Sequence, residues 1–147
     1  MLRDEKECQL CSFANEPESI AARVEESDCW IAGPHPAIAV AGALFMQTRT
    51  HRHALTDLTE SELQTLGSTM ASIQRAMTSG YRAEKVYVAA FGEKFSHFHF
   101  LLIPRLADHE GARGPALIQQ CLDPSTPRDP VKIAEAARKI RTSLRDE

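Results

Sequence analysis

Between Thr59 and Gly80 the chain spells out one amphipathic helix, and every other segment has to be arranged around it. Leu63, Leu66, Met70, Ile73 and Met77 recur at spacings of three and four, which places them on a single helical stripe. Thr59 followed three residues later by Glu62 is a capping-box pattern, and Gly80 is the expected stop. A helix with one apolar stripe needs a partner surface. The flanking sequence offers strands: Ala43 to Thr48 before it, then Lys85 to Ala90 and a long run from Phe95 to Pro104 after it. Shorter candidates are Ala22 to Glu25 and Trp30 to Ala32, the second broken by Gly33-Pro34-His35-Pro36. Strands collected around a long helix give an α+β domain with an antiparallel sheet.

The rest of the chain divides around this unit. Residues 1–19 form a polar leader carrying Cys8-x-x-Cys11 and ending in a turn at Asn15-Glu16-Pro17. Residues 1–106 read as the principal domain with its leader, and residues 107–147 as a helical extension packed on it. Gly114-Pro115 opens a short helix there and Asp129-Pro130 a longer one, since proline suits the first helical position. At 147 residues the chain buries roughly two-thirds of its unfolded surface, enough for one self-sufficient core.

Composition excludes several classes. With 17 Lys+Arg against 20 Asp+Glu, a net charge of −3 argues against a broad nucleic-acid surface. No apolar run approaches the roughly 20 residues that span a bilayer. The opening MLRDEKECQL has acids where a secretory signal has an apolar core, so the expected setting is a reducing cytoplasm. There, paired cysteines more often hold metal than form disulfides. Cys29 and Cys121 read as packed thiols.

The run Ser96-His97-Phe98-His99-Phe100-Leu101-Leu102-Ile103-Pro104-Arg105 carries the chemistry. As a strand it points His97, His99, Leu101 and Ile103 to one face, and Phe98, Phe100 and Leu102 to the other, under the helix. A second imidazole pair, His51 and His53, follows the Ala43 strand. Zinc takes four thiolate or imidazole donors in a tetrahedron. Cys8, Cys11, one of His51 or His53, and one of His97 or His99 would supply them.

From Cys8 to Arg105 the sequence resembles the zinc-containing bacterial branch of the histidine triad family, near its diadenosine polyphosphate hydrolase-like proteins. The matching elements are Cys8-x-x-Cys11, Ala41-Gly42-Ala43-Leu44-Phe45-Met46, Arg49-Thr50-His51, Leu55-Thr56-Asp57-Leu58, the helix, Gly92 to His99, and Ile103-Pro104-Arg105. The resemblance implies that fold, a zinc ion on Cys8, Cys11, His51 and His97, a homodimer joined through long helices and edge strands, and a nucleotide or other phosphate-containing substrate. Positions flanking the helical stripe, such as Thr69 and Ser72, would lie at the dimer seam.

It also implies that His99 is the nucleophile that takes a nucleotidyl group. The triad is degenerate: the third histidine position is Leu101 and the early one is Ala43. Glu93 and Lys94 stand where the family contacts phosphate, and Lys94, Arg105 or Arg49 would meet phosphoryl charge. Trp30 is a candidate pocket wall, set against the plainer role of a core tryptophan. His35 falls near where the family contacts ribose, but between two prolines it reads as a surface turn, and His109 as a solvated residue.

Overall fold

The computed structural model describes residues 7–107 and 112–147, so the expectation for His109 falls outside it. Two short helices, α1 (Gln9–Ala14) and α2 (Pro17–Ala22), precede strands β1 (Glu25–Glu26), β2 (Trp30–Gly33) and β3 (Leu44–Thr48). A 3₁₀ turn (Leu55–Asp57) leads into the long helix α3 (Glu60–Tyr81). Then come β4 (Lys85–Ala89), β5 (His99–Arg105), α4 (Pro115–Leu122) and α5 (Pro130–Arg145). The strands form one antiparallel sheet in the order β1-β2-β3-β5-β4. The protein is therefore an α+β domain. No helix among the described residues is long and apolar enough to cross a membrane.

Register explains how one sheet serves two cores. Leu44 faces Leu102, Phe45 faces Leu101, Met46 faces Phe100 and Gln47 faces His99 across β3 and β5. Because side chains alternate, Leu44, Met46, Phe100 and Leu102 line one face and Phe45, Gln47, His99 and Leu101 the other. The first face packs under α3 and α5 with Trp30, Ile73, Met77, Ala137 and Ile140. The second is covered by Cys8 and Leu10 from the leader, Ile38, and Leu117 and Cys121 of α4. Every residue of β3 is buried as a result.

Several expectations are corrected. The leader is helical on both sides of the Asn15-Glu16-Pro17 turn, with Pro17 at the first position of α2. The strand expected at Ala22 to Glu25 shrinks to Glu25–Glu26, because α2 extends through Ala22. The strand expected from Phe95 begins only at His99, so His97 lies just before it. Leu63 is 47% exposed, because the buried position in that first turn belongs to Glu62, whose carboxylate is held by Arg52.

The helix stop also moves. Thr59 and Glu62 form the expected capping box, but α3 continues through Gly80 to Tyr81 and ends on Arg82 at φ 60°. Gly80 instead lets α5 approach. A Cβ there would lie 2.6 Å from Ser143 Cβ and 2.8 Å from the Lys139 carbonyl oxygen. Ser79 and Ser143 hydroxyls meet at 2.7 Å beside this contact. The α5 helix starts on Asp129, whose carboxylate accepts the Val131 and Lys132 N–H groups, and it turns Ile133, Ala136, Ala137 and Ile140 inward.

Gly80→Ala sets propensity against packing. Alanine favours the helix by about 1 kcal/mol, while forcing a methyl into the α3–α5 seam costs about 1–3 kcal/mol. Chemical denaturation should find the variant less stable than the wild type. Equal or higher stability would mean that the seam yields freely.

Candidate functional site

Four donors from three separate stretches converge beside the second face of the sheet. Cys8 is the N-cap of α1, and its sulfur accepts the Cys11 N–H at 3.4 Å, so the short helix itself turns both sulfurs to one side. His51 follows β3 and His97 precedes β5. The Cys8 Sγ to His97 Nδ1 distance is 3.6 Å, Cys11 Sγ to His51 Nδ1 is 3.4 Å and Cys11 Sγ to His97 Nδ1 is 3.3 Å. The two Nδ1 atoms are 3.3 Å apart.

A tetrahedron with Zn–S of about 2.3 Å and Zn–N of about 2.05 Å requires S···N of about 3.5 Å and N···N of about 3.3 Å. The donor set fits zinc in both chemistry and spacing. Cys8, Cys11, His51 and His97 are the one such cluster among the described residues, all four donor atoms lying within 4.8 Å of one another.

The imidazole of His97 is prepared for a metal. Its Nε2–H donates to the Thr48 carbonyl at 2.8 Å, with the Thr48 hydroxyl 3.1 Å away, which leaves the lone pair on Nδ1. Burial pushes His97 down to about 4 against the opposing pull of the Thr48 hydrogen bond, and neighbouring imidazoles lower it further. The ring is thus neutral at pH 7, as a ligand must be. His53 stacks edge-on against His51 at 4.8 Å but contributes no donor to the cluster.

His99 does something different. Its Nδ1–H donates to the His97 carbonyl at 2.7 Å, so Nε2 keeps the lone pair. His99 lines a cavity of about 300 Å³ with Phe45, Phe91, Phe95, Leu101 and Leu122, together with Ala37 and Ala89. Glu93 and Lys94 also line it, joined by Gly92. Lys94 Nζ lies 5.5 Å from the centre of the Phe95 ring. Burial lowers the affinity of His99 for a proton, opposed by the His97 carbonyl. A neutral imidazole with a free Nε2 at an apolar cavity is equipped for nucleophilic attack or proton transfer.

Other expected members lie elsewhere. Trp30 is fully buried on the helix face, and its indole N–H donates to Thr65 Oγ1 at 3.1 Å. Alternation along β2 turns it away from the cavity. Arg105 ends β5, about 20 Å along the strand from His99, and its guanidinium is 3.6 Å from the Glu84 carboxylate. Arg49 donates to the Ser27 carbonyl and pairs with Glu26. Neither arginine lines the cavity. Of the cations suggested by sequence, Lys94 alone does.

His35 is not a surface residue. It stacks on Phe45 at 4.8 Å and meets Phe13 and Phe95 edge-on at 4.6 and 5.3 Å. Its Nδ1 accepts the Ala37 N–H at 2.9 Å, and burial, with a smaller contribution from His99, pushes it down to about 4. Its three aromatic partners come from α1, β3 and the loop before β5, so no local pattern marks it. Leu122 and Phe91 were likewise missed, for they reach the cavity only through tertiary packing.

No family model matches the sequence, and no curated protein matches it either. Solved structures do. A zinc-bound histidine triad family protein from Mycobacterium smegmatis superposes with a TM-score of 0.70 at 20% identity, covering 97% of this chain and 96% of that one. A HIT-like protein involved in cell-cycle regulation from Bartonella henselae gives 0.71 at 22% identity, covering 97% and 99%. Diadenosine triphosphate hydrolase from Plasmodium falciparum, in complex with cyclomarin A, gives 0.63 at 13% identity, covering 86% and 78%. This chain shares the histidine triad fold with them.

Two outcomes follow from the geometry. Purified protein should carry about one zinc per chain, and Cys11→Ser should lose it and melt lower, because the binding free energy of a site absent from the unfolded chain is folding free energy. Elemental analysis with thermal melting reads both, and a variant with unchanged melting would refute the assignment.

The second outcome concerns pH. The unfolded chain protonates His35 near 6.5, whereas the folded chain keeps it neutral down to about 4. Its contribution is complete above pH 6.5 and is lost as pH falls from 6.5 to 4, by at most about 3 kcal/mol. His35→Phe should flatten that part of the stability–pH curve relative to wild type. The same slope in both proteins would exclude His35 as its source.

Proposed function

We propose that the protein is a histidine triad-like nucleotidyl hydrolase or transferase acting on a nucleotide phosphate ester, anhydride or phosphoramidate, with His99 as nucleophile. Zinc on Cys8, Cys11, His51 and His97 is its resident metal in this reading. The observation that carries it is the hydrogen bond from His99 Nδ1 to the His97 carbonyl, which leaves the lone pair on Nε2 of a ring that lines the cavity. Fold likeness to a diadenosine triphosphate hydrolase supports the substrate class.

In the reaction, His99 Nε2 attacks phosphorus in line, forming a P–N bond as the P–O or P–N bond to the leaving group breaks. The leaving group takes a proton from solvent. Water, or another hydroxyl acceptor, then attacks phosphorus, the P–N bond breaks, the acceptor's proton returns to solvent, and neutral His99 is restored. Lys94 meets charge on the phosphoryl oxygens, while Glu93 beside it opposes a highly charged substrate. Cys8, Cys11, His51 and His97 would hold the zinc ion, which would supply a rigid anchor for the start of β5, and the His97 carbonyl orients the attacking ring. A cytoplasmic setting, which keeps the thiols reduced, belongs to the same reading. So does a homodimer, for which β4 offers an edge strand with Val88 exposed.

A second reading is a noncatalytic protein that binds a nucleotide or phosphate ligand. The observation favouring it is the apolar wall: Leu101 lines the cavity at the position the resemblance gives to a third histidine.

His99→Ala separates the two. With dinucleoside polyphosphates and nucleoside phosphoramidates as a panel, the first reading expects turnover by wild type and a loss of at least about 10²-fold in the variant, with zinc content unchanged. No turnover by wild type, with nucleotides still raising the melting temperature by mass action, would establish binding alone.

A further inference from the structure

The two histidine ligands belong to segments with no covalent reason to meet, and they sit 46 positions apart. A backbone hydrogen bond joins the segments: Phe98 N–H donates to the Arg52 carbonyl at 2.7 Å. It pairs the residue after His97 with the residue after His51, so it sets how closely the two imidazoles approach.

Arg52 is held in turn. Its Nε lies 3.2 and 3.1 Å from the two carboxylate oxygens of Glu62, and its Nη2 lies 3.1 Å from Oε1. The Glu62 side chain is only 5% exposed, although it stands in the first turn of a helix. Its Oε2 also accepts the Thr59 N–H at 2.8 Å, so the carboxylate is locked to the start of α3. A forked guanidinium–carboxylate pair of this kind fixes direction as well as distance. The start of α3 is thereby tied through Glu62 and Arg52 to the residue that follows His51.

We propose that Arg52 and Glu62 are positioning residues for the metal centre: their ion pair holds the 51–53 segment against the 97–98 segment and presets the His51–His97 spacing. The inference rests on the zinc reading of the four-donor cluster. It extends that reading to two residues that touch no metal and stand outside the ligand motif. With this lock intact the two imidazoles are held 3.3 Å apart. Without it, the His51 segment must be ordered at the moment of binding, which weakens affinity.

The test compares wild type with Glu62→Gln and Thr59→Ala. Thr59→Ala removes the hydroxyl that accepts the Glu62 N–H, so it weakens the same helix start while leaving both partners of the ion pair in place. Zinc affinity is read by competition with a chromophoric chelator, and metal-free melting is recorded in parallel. Glu62→Gln should bind zinc about 10- to 100-fold more weakly, while Thr59→Ala stays within about threefold of wild type at a comparable loss of metal-free melting temperature. Cobalt(II) in place of zinc should show altered ligand-field bands in Glu62→Gln and unaltered bands in Thr59→Ala.

If Glu62→Gln fails to fold, the double variant Arg52→Met with Glu62→Leu replaces the pair by apolar side chains, an exchange that often leaves stability intact. It should fold and show the same loss of affinity. Wild-type affinity in whichever variant folds overturns the proposal while leaving the zinc reading standing. So does a loss that merely tracks melting temperature in both single variants. A wild-type protein that binds no zinc overturns the zinc reading, and this inference with it.

Discussion

Antiparallel pairing of β3 with β5 at the middle of the sheet is the constraint on which the rest of the molecule depends. It buries both strands on two faces, and each face then demands its own cover. Helices α3 and α5 cover one. Among the described residues the other has no long helix, and it is closed by the leader, the loop around Ile38 and the short α4. Those pieces are too small to cover a sheet completely. The cavity lies where they leave off, with His99 and Leu101 of β5 and Phe45 of β3 in its wall.

Chemistry is partitioned along three residues of one strand entry. His97 turns to the cysteines and His99 to the cavity, and the link between them is the backbone carbonyl of the first accepting the ring N–H of the second. The metal ligand thus orients the candidate nucleophile without either imidazole leaving its own task. Thr48 extends the chain one step, because its carbonyl holds the His97 ring from the last residue of β3. A disturbance of the central strand pair would therefore reach both sites together.

What could be read beforehand follows from how local each signal is. The α3 stripe, its capping box and the strands β3 and β4 are periodic and match the structure to within a residue or two at their ends, apart from the exposed Leu63. The leader helices did not, since six-residue helices are marginal alone and α1 is capped by a cysteine rather than by a usual capping residue. Spacing alone left His51 and His53 as alternatives; it was the resemblance that singled out His51, which the fold brings to the cysteines. Trp30 and Arg105 were drawn toward the cavity by residue type, but strand alternation and strand length carry them away from it. His35 needed three aromatic rings from distant segments, and only the tertiary structure supplies those.

The donor cluster also has a consequence in time. Cys11 and His97 are separated by 86 positions. A ribosome adding roughly 5–20 residues per second takes about 4 to 17 s to make that stretch. Throughout that interval the nascent chain displays a vicinal pair of thiols whose imidazole partners are incomplete. Oxidants and adventitious metals compete for the pair in that window, and Leu122, which closes the cavity, has yet to be translated. The cysteine pair is made well before its last partner, so the biogenesis of this fold is most exposed around Cys8 and Cys11.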